Sequence, residues 1–447
     1  MKGRTAAWVA GAARASLRKG DVGTPGPRRA VIDTREVREG DLFVGVRGTR
    51  ADGGAFAAEA LGAGAWGVMV SREHVGAAVT AAPEGTQVLE VEDPLASLGT
   101  LAREWRRELG AKVIGVTGST GKTSTKDILA AVLAPQMSTH ASRENFNTEI
   151  GLPLAILEAQ ETTEALVLEM AMRGEGQIAE LTEIAEPDVG VIVNVGPVHL
   201  ELLGTVERVA AAKAELIRDL RPGAVCVVPA GEALLEEHLR DDIETVTFGP
   251  GGHVMLLAFE RTSARGGSAE IEAMGKRVQL DLAFDEPYNL LNTLAAVGAA
   301  VAVGAKPGGR VAVQFSSLRG EVVDLPGGVT VVNDCYNANP MSMRAALQHL
   351  AETPAQRRLA VLGTMAELGE GSAVFHHEIG DEAKALGIDV LVTVGEEATA
   401  YLEGFAGETY AAATPEEAGA LLEEIAQPGD RVLVKGSRAV GLERVLA

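Results

Sequence analysis

The segment Gly115-Val-Thr-Gly-Ser-Thr-Gly-Lys-Thr-Ser-Thr125 constrains this chain more than any other stretch. The apolar run Val113–Thr117 reads as a buried strand, and helical sequence runs from Thr123 to Leu133. A strand that stops at a glycine turn and feeds a helix aims backbone amides at one point. The helix N-terminus adds partial positive charge there, so the arrangement cradles phosphate. Gly118, Ser119, Thr120, Gly121, Lys122, Thr123 and Ser124 are therefore candidate ATP-binding residues. Lys122 is expected at the β- and γ-phosphates, and the Thr123 hydroxyl on a Mg²⁺ ion. The longer G-x-x-x-x-G-K-[ST] pattern is not met, because Val116 stands five before Gly121; the shorter Gly-Ser-Thr-Gly-Lys-Thr stands. The competing reading is a glycine turn with a solvated lysine. Such a loop does not by itself choose between kinase, switch, motor and ligase.

At 447 residues the chain calls for two to four domains. Its net charge of −22 repels DNA and anionic membranes, so nucleic-acid binding is not expected and an anionic substrate must be held by a local site. Cys226 and Cys335 stand far apart with no metal-ligand spacing, which predicts neither disulfide nor zinc and suits a reducing cytoplasm. Ala6–Ala13 reads as a surface helix. No apolar run approaches the roughly 18–20 residues that span a bilayer.

Three blocks follow, predicted at residues 1–108, 109–313 and 314–447. The first carries short strands at Asp41–Val46 and Trp66–Val70 about a helix Phe56–Ala63, then a charged helix Leu98–Leu109. The second continues from the phosphate loop through buried strands Leu166–Glu169, Val189–Val195 and Val225–Val228. Such unbroken apolar runs require a parallel sheet covered on both faces. Glu270–Phe284 alternates as antiparallel strands do, and helix Leu290–Val303 closes the block. The third block has apolar strands at Leu359–Leu362, Val390–Val394 and Arg431–Val434, a second doubly wound unit. The expected fold class is thus α/β in three domains: an N-terminal α/β domain, a central doubly wound, mostly parallel sheet with the phosphate loop, and a C-terminal Rossmann-like domain.

Glu169 ends a strand, His199 follows another through Gly-Pro, and Lys213 lies on a helix Val206–Leu220. Singly, each has an ordinary reading: a solvated carboxylate, a structural histidine, a surface lysine. Together with Asn145-Phe-Asn-Thr-Glu-Ile-Gly-Leu-Pro153, Asn194-Val-Gly-Pro-Val-His-Leu-Glu201 and Ala212-Lys-Ala-Glu215, they make the chain resemble the Mur ligase family, the ATP-dependent amide ligases of peptidoglycan synthesis. The resemblance implies that Lys122, Glu169, His199 and Lys213 are catalytic. It also implies that Thr123, Glu169, His199 and a carbamylated Lys213 hold or position Mg²⁺.

Asn333-Asp-Cys-Tyr-Asn-Ala-Asn-Pro340, Gly363-Thr-Met-Ala-Glu-Leu-Gly369 with His376, and Val434-Lys-Gly-Ser-Arg438 are similar to the family member that uses UDP-N-acetylmuramoyl-tripeptide and D-alanyl-D-alanine. Asp33-Thr-Arg35, Gly40-Asp-Leu-Phe-Val44 and Asp52-Gly53 resemble its UDP-binding domain. This adds Asn292, Arg319 and Asp334 at the nucleotide. At the substrates it adds Thr34, Arg35, Asn145, Asn147, Thr148, Tyr336, Asn337, Asn339, Lys435 and Ser437. Three departures stand out: Gly54 where the family carries His, Thr364 where it carries Asp, and Glu286-Pro-Tyr-Asn289 where it tends to Gly-Arg-His-Asn. The expected activity is ADP-forming amide ligation through an acyl phosphate, by a cytoplasmic monomer without membrane insertion. The rival readings are a related ligase with another acceptor, such as the tripeptide-forming one, and a non-catalytic nucleotide-binding homologue.

Overall fold

A computed structural model describes every residue except 2, 144, 264, 265 and 447. Its strands form three sheets, of five, ten and six strands. In the first, Ala30–Val31, Leu42–Val44, Gly67–Ser71 and Gln87–Val91 run parallel, and Ser16–Lys19 closes the edge antiparallel. Helix Pro94–Leu109 leaves this layer with Asp93 capping the Leu95 and Ala96 amides and Pro94 at its first position, a favoured start. The Pro-Leu-Ala-Ser start lengthens the helix by a turn beyond the charged stretch read from sequence.

Helix Ala6–Ala12 corrects an expectation. It is not a surface helix: Ala6 and Val9 are fully buried, and the Trp8 ring meets Trp105 edge-on with centroids 6.0 Å apart. Its apolar face covers the long helix, because alanines allow close approach while Trp105 supplies the area.

The central sheet has Lys112–Thr117 in its middle, flanked by Ala165–Glu169 and Val189–Ile192 in parallel register. All three strands are buried on both faces apart from Lys112 at the start of the first. The antiparallel strands expected near Glu270–Phe284 are Val254–Ser263, Gly266–Ala273 and Lys276–Leu282. Strand Val189–Ile192 ends before the predicted Val195, because Asn194 leaves the ladder to brace the phosphate loop. Helices Lys122–Leu133 and Pro287–Ala302 pack together over one face and share its core of Ile128, Leu129 and Leu294.

The third sheet is parallel from Val329–Asn333 through Asp430–Lys435, Arg357–Gly363 and Val390–Val394 to Glu408–Ala412, with Glu321–Leu325 antiparallel at its edge. No helix among the described residues is long and apolar enough to cross a membrane.

Candidate active site

The strand-to-helix turn reads as the sequence suggested, and each loop residue is held by a second element. Asn194 accepts the Thr120 amide at 2.9 Å and donates to the Thr120 hydroxyl at 2.9 Å. The Ser119 hydroxyl donates to the Gly196 carbonyl at 3.1 Å and accepts its amide at 2.9 Å. Gly121 has φ +74°, and a Cβ there would lie 2.6 Å from Asn292 Oδ1. Only glycine meets both demands, a left-handed backbone and close approach by Asn292. Lys122 Nζ folds back onto the Gly118 carbonyl at 2.8 Å.

Glu169 is 1% exposed at the C-terminal end of its strand. It accepts the Thr123 hydroxyl at 2.7 Å on one oxygen and Asn147 Nδ2 at 2.9 Å on the other, while its amide donates to Ser142 Oγ at 3.0 Å. Thr123, Asn147 and Glu169 thus converge beside the loop.

Lys213 lies in helix Val206–Asp219, whose start Thr205 caps by accepting the Arg208 amide. It is not solvated, as a helical lysine ordinarily is, but 2% exposed. Among the described residues its amine makes no ion pair, and burial, reinforced by the charge of Lys122, holds its pKa well below the ordinary lysine value. Lys122 is lowered too, first by burial and then by Arg319, against the attraction of Glu169.

His199 adopts a left-handed backbone, φ +54°, uncommon for a residue with a side chain. Its Nδ1 makes a short contact with Glu367 Oε2 across from the third sheet's layer. Burial lowers its pKa, and the Glu367 charge opposes that shift.

The third layer contributes a second cluster. Asn339 caps helix Pro340–Glu352 in a box with Ser342. The cap is structural, yet its residue also faces the cavity. Lys435, 2% exposed, donates to Asp334 Oδ2 at 2.6 Å and to the Asn337 carbonyl at 3.0 Å. The Tyr336 hydroxyl contacts Asn145 Oδ1, and the Arg319 guanidinium lies 3.9 Å from the Tyr336 ring centroid, a cation–π contact.

These clusters face one cavity of about 540 Å³. Of the residues singled out from sequence, it is lined by Ser119 through Ser124, Asn147, Thr148, Glu169, His199, Lys213, Asn292, Arg319, Asp334, Tyr336, Asn337, Asn339 and Lys435. Gly118, Asn145 and Ser437 do not line it, though the first two touch Lys122 and Tyr336. Ser437 is buried, and its hydroxyl accepts the Ala366 amide at 2.9 Å, pinning the loop that presents Glu367. Thr34 and Arg35 lie elsewhere, in the first layer. Thr34 donates to Glu59 at 2.6 Å and Arg35, 86% exposed, pairs with Asp33. Sequence reasoning missed Glu367 and the cavity-lining Arg173 and Gln177; the motif Gly363–Gly369 contained the signal for Glu367.

The comparisons agree with one another. The chain matches the Mur ligase middle domain at residues 116–300, the Mur ligase glutamate ligase domain at 318–438 and the Mur ligase family catalytic domain at 30–106. It is 38% identical to the UDP-N-acetylmuramoyl-tripeptide–D-alanyl-D-alanine ligase of Synechocystis, covering 93% of this chain and 90% of that one. It is 34% identical to the enzyme of that name from Bacillus subtilis, covering 97% and 96%. Among solved structures, MurF from Acinetobacter baumannii aligns with a TM-score of 0.87 at 28% identity over 99% of this chain and 98% of that one. MurF ligase from Thermotoga maritima in complex with ADP aligns at 0.81 and 35% identity over 94% and 96%. The resemblance read from the motifs is borne out: this chain belongs to the Mur ligase family.

Proposed function

We propose that the chain is an ATP-dependent, ADP-forming ligase that joins D-alanyl-D-alanine to UDP-N-acetylmuramoyl-tripeptide. The observation that carries the reading is the single cavity between the central and third layers, where the phosphate loop faces Asn337, Asn339 and Lys435. A carboxylate is a poor electrophile, so amide formation in water needs an activated acyl group. The tripeptide carboxylate attacks the γ-phosphorus of ATP and ADP leaves. The dipeptide amine then attacks the acyl carbon of the resulting acyl phosphate, loses its proton and expels phosphate. Lys122 neutralises charge at the transferred phosphoryl group, and the loop amides hold it in line. Asn337, Asn339 and Lys435 orient the acceptor.

The donor set suits a magnesium ion. The Thr123 hydroxyl and Glu169 carboxylate are adjacent oxygen ligands of the kind magnesium takes. A buried lysine with no ion pair is disfavoured as an ammonium, and as a carbamate Lys213 adds a carboxylate-like group. His199 completes the set. Bound there, the ion would neutralise phosphate charge.

We assign residues 1–108 to the UDP-sugar, with Thr34 and Arg35 at that end, 109–313 to ATP and 314–447 to the acceptor. Every cavity residue comes from one chain, so a monomer suffices. The substrates and the absence of a membrane-spanning helix among the described residues fit a cytoplasmic enzyme. The acyl phosphate is tested with tripeptide labelled with ¹⁸O in its terminal carboxylate. One labelled oxygen is expected in the released phosphate; unlabelled phosphate alongside product would overturn the route.

A further inference from the structure

We propose that His74 is a binding residue for the uridine diphosphate end of the substrate, in a subsite that only a glycine at position 54 leaves open. The inference rests on the assignment of residues 1–108 to the nucleotide-sugar. It begins from topology. Strands Ala30–Val31, Leu42–Val44 and Gly67–Ser71 run parallel, so the loops that follow them gather at one edge of the sheet. In α/β sheets that edge is where ligands bind. It holds Thr34 and Arg35, then Arg47 and Asp52, and finally His74 in the first turn of helix Arg72–Ala81.

Asp52 is the hub. Its Oδ1 accepts the Gly54 amide at 3.0 Å, and its Oδ2 accepts Arg47 Nε at 3.0 Å. His74 Nε2 lies 3.2 Å from the same Oδ2, within ion-pair distance but out of line for a hydrogen bond. Burial opposes ionisation of Asp52, yet the Gly54 amide, His74 and Arg47 together hold its pKa below the ordinary value. The carboxylate therefore fixes one cation and one imidazole side by side, and both belong to the kind of group that recognises a diphosphate.

The backbone does not explain the glycine. Gly54 is absent from the positions with left-handed φ, where a glycine is ordinarily required. The His74 ring explains it instead. A Cβ at position 54 would lie 2.2 Å from His74 Cδ2 and 2.8 Å from its Cγ. Those are atoms of a stiff ring, so a side chain at 54 and the ring of His74 exclude each other in this arrangement. The two positions are coupled: one imidazole fits beside Asp52, reached from either backbone. Gly54 is also the position at which the chain departs from the family's histidine, and the coupling gives that departure a physical reason.

The test is calorimetric titration of UDP into the full chain, with steady-state kinetics on the nucleotide-sugar tripeptide, for wild type, His74→Ala and the double variant Gly54→His/His74→Ala. His74→Ala is expected to weaken UDP binding about tenfold, as loss of one such contact does. KM for the nucleotide-sugar should rise in step while kcat stays within about twofold. The double variant returns an imidazole to the same space and is expected to recover most of the loss. A purely structural His74 would lower thermal stability and kcat without a selective rise in KM, and that result overturns the proposal. So does UDP binding by His74→Ala equal to wild type, or a double variant no better than His74→Ala. A wild-type chain that forms product but binds no UDP would overturn the domain assignment along with the proposal. Wild-type UDP binding that His74→Ala leaves intact would overturn the proposal alone.

Discussion

At the scale of residues, the phosphate loop and the carboxylate behind it were legible, because their chemistry follows from type and spacing. Lys122→Ala is expected to lower phosphate release by about two to three orders of magnitude, since a preorganised charge at the transferred group is lost. Steady-state phosphate assays on a variant of unchanged thermal stability check this; a loss below about threefold contradicts the role. Lys213→Ala should fall by about a hundredfold and recover in part with short carboxylic acids that occupy the space of the carbamate. Full activity in the variant, or loss without rescue, removes the carbamate from the account. The sequence placed Lys213 on an apolar-faced helix but could not tell a solvated lysine from one that is 2% exposed. That distinction depends on what packs over the helix, which periodicity does not carry. Asn194 was quoted within a motif, yet its use as a brace for Thr120 emerges only once two distant strands lie side by side.

At the scale of elements, apolar runs gave the strands well and their ends poorly. Lys112–Thr117 and Ala165–Glu169 match the runs to within a residue, whereas Val189–Ile192 stops where side-chain hydrogen bonding takes over from the ladder. The loop after Arg357–Gly363 shows how one element is tied. The Met365 amide donates to His376 Nε2 at 2.9 Å, and His376 Nδ1 pairs with the Ser372 carbonyl at 2.6 Å. Both bonds together need neutral imidazole, and burial holds the His376 pKa below its ordinary value. The sign follows directly. Below the ordinary histidine value of about 6.5, the unfolded chain binds a proton that the folded chain refuses, so stability falls as pH falls through that window. Thermal unfolding at pH 7.5 and 5.5 should show a lower midpoint at the acid end, and a smaller difference in His376→Gln. Equal differences in the two proteins would contradict this. Loss of the helix cap in Asn339→Ala should cost about 1 kcal/mol in chemical denaturation of the third layer; a change below a few tenths would mean the cap is redundant.

At the scale of the whole molecule, the sequence showed three blocks but not how they meet, since contacts between layers follow no local period. The His199–Glu367 and Tyr336–Asn145 contacts bring the central and third layers together around the cavity. Glu367→Ala should therefore slow turnover while leaving nucleotide affinity within about threefold, because the phosphate-loop residues are untouched. Paired nucleotide titration and kinetics check it, and an equal loss in both would place Glu367 in nucleotide binding instead. The central claim is that one cavity activates a carboxylate with ATP and delivers it to a dipeptide amine. Its most direct test is phosphate release from ATP by the purified chain with UDP-N-acetylmuramoyl-tripeptide, with and without D-alanyl-D-alanine, followed by product mass. The account predicts release that requires both substrates and a product of pentapeptide mass. Release sustained by a single amino acid in place of the dipeptide would contradict the acceptor, and ATP binding without release under any acceptor would contradict the ligase itself.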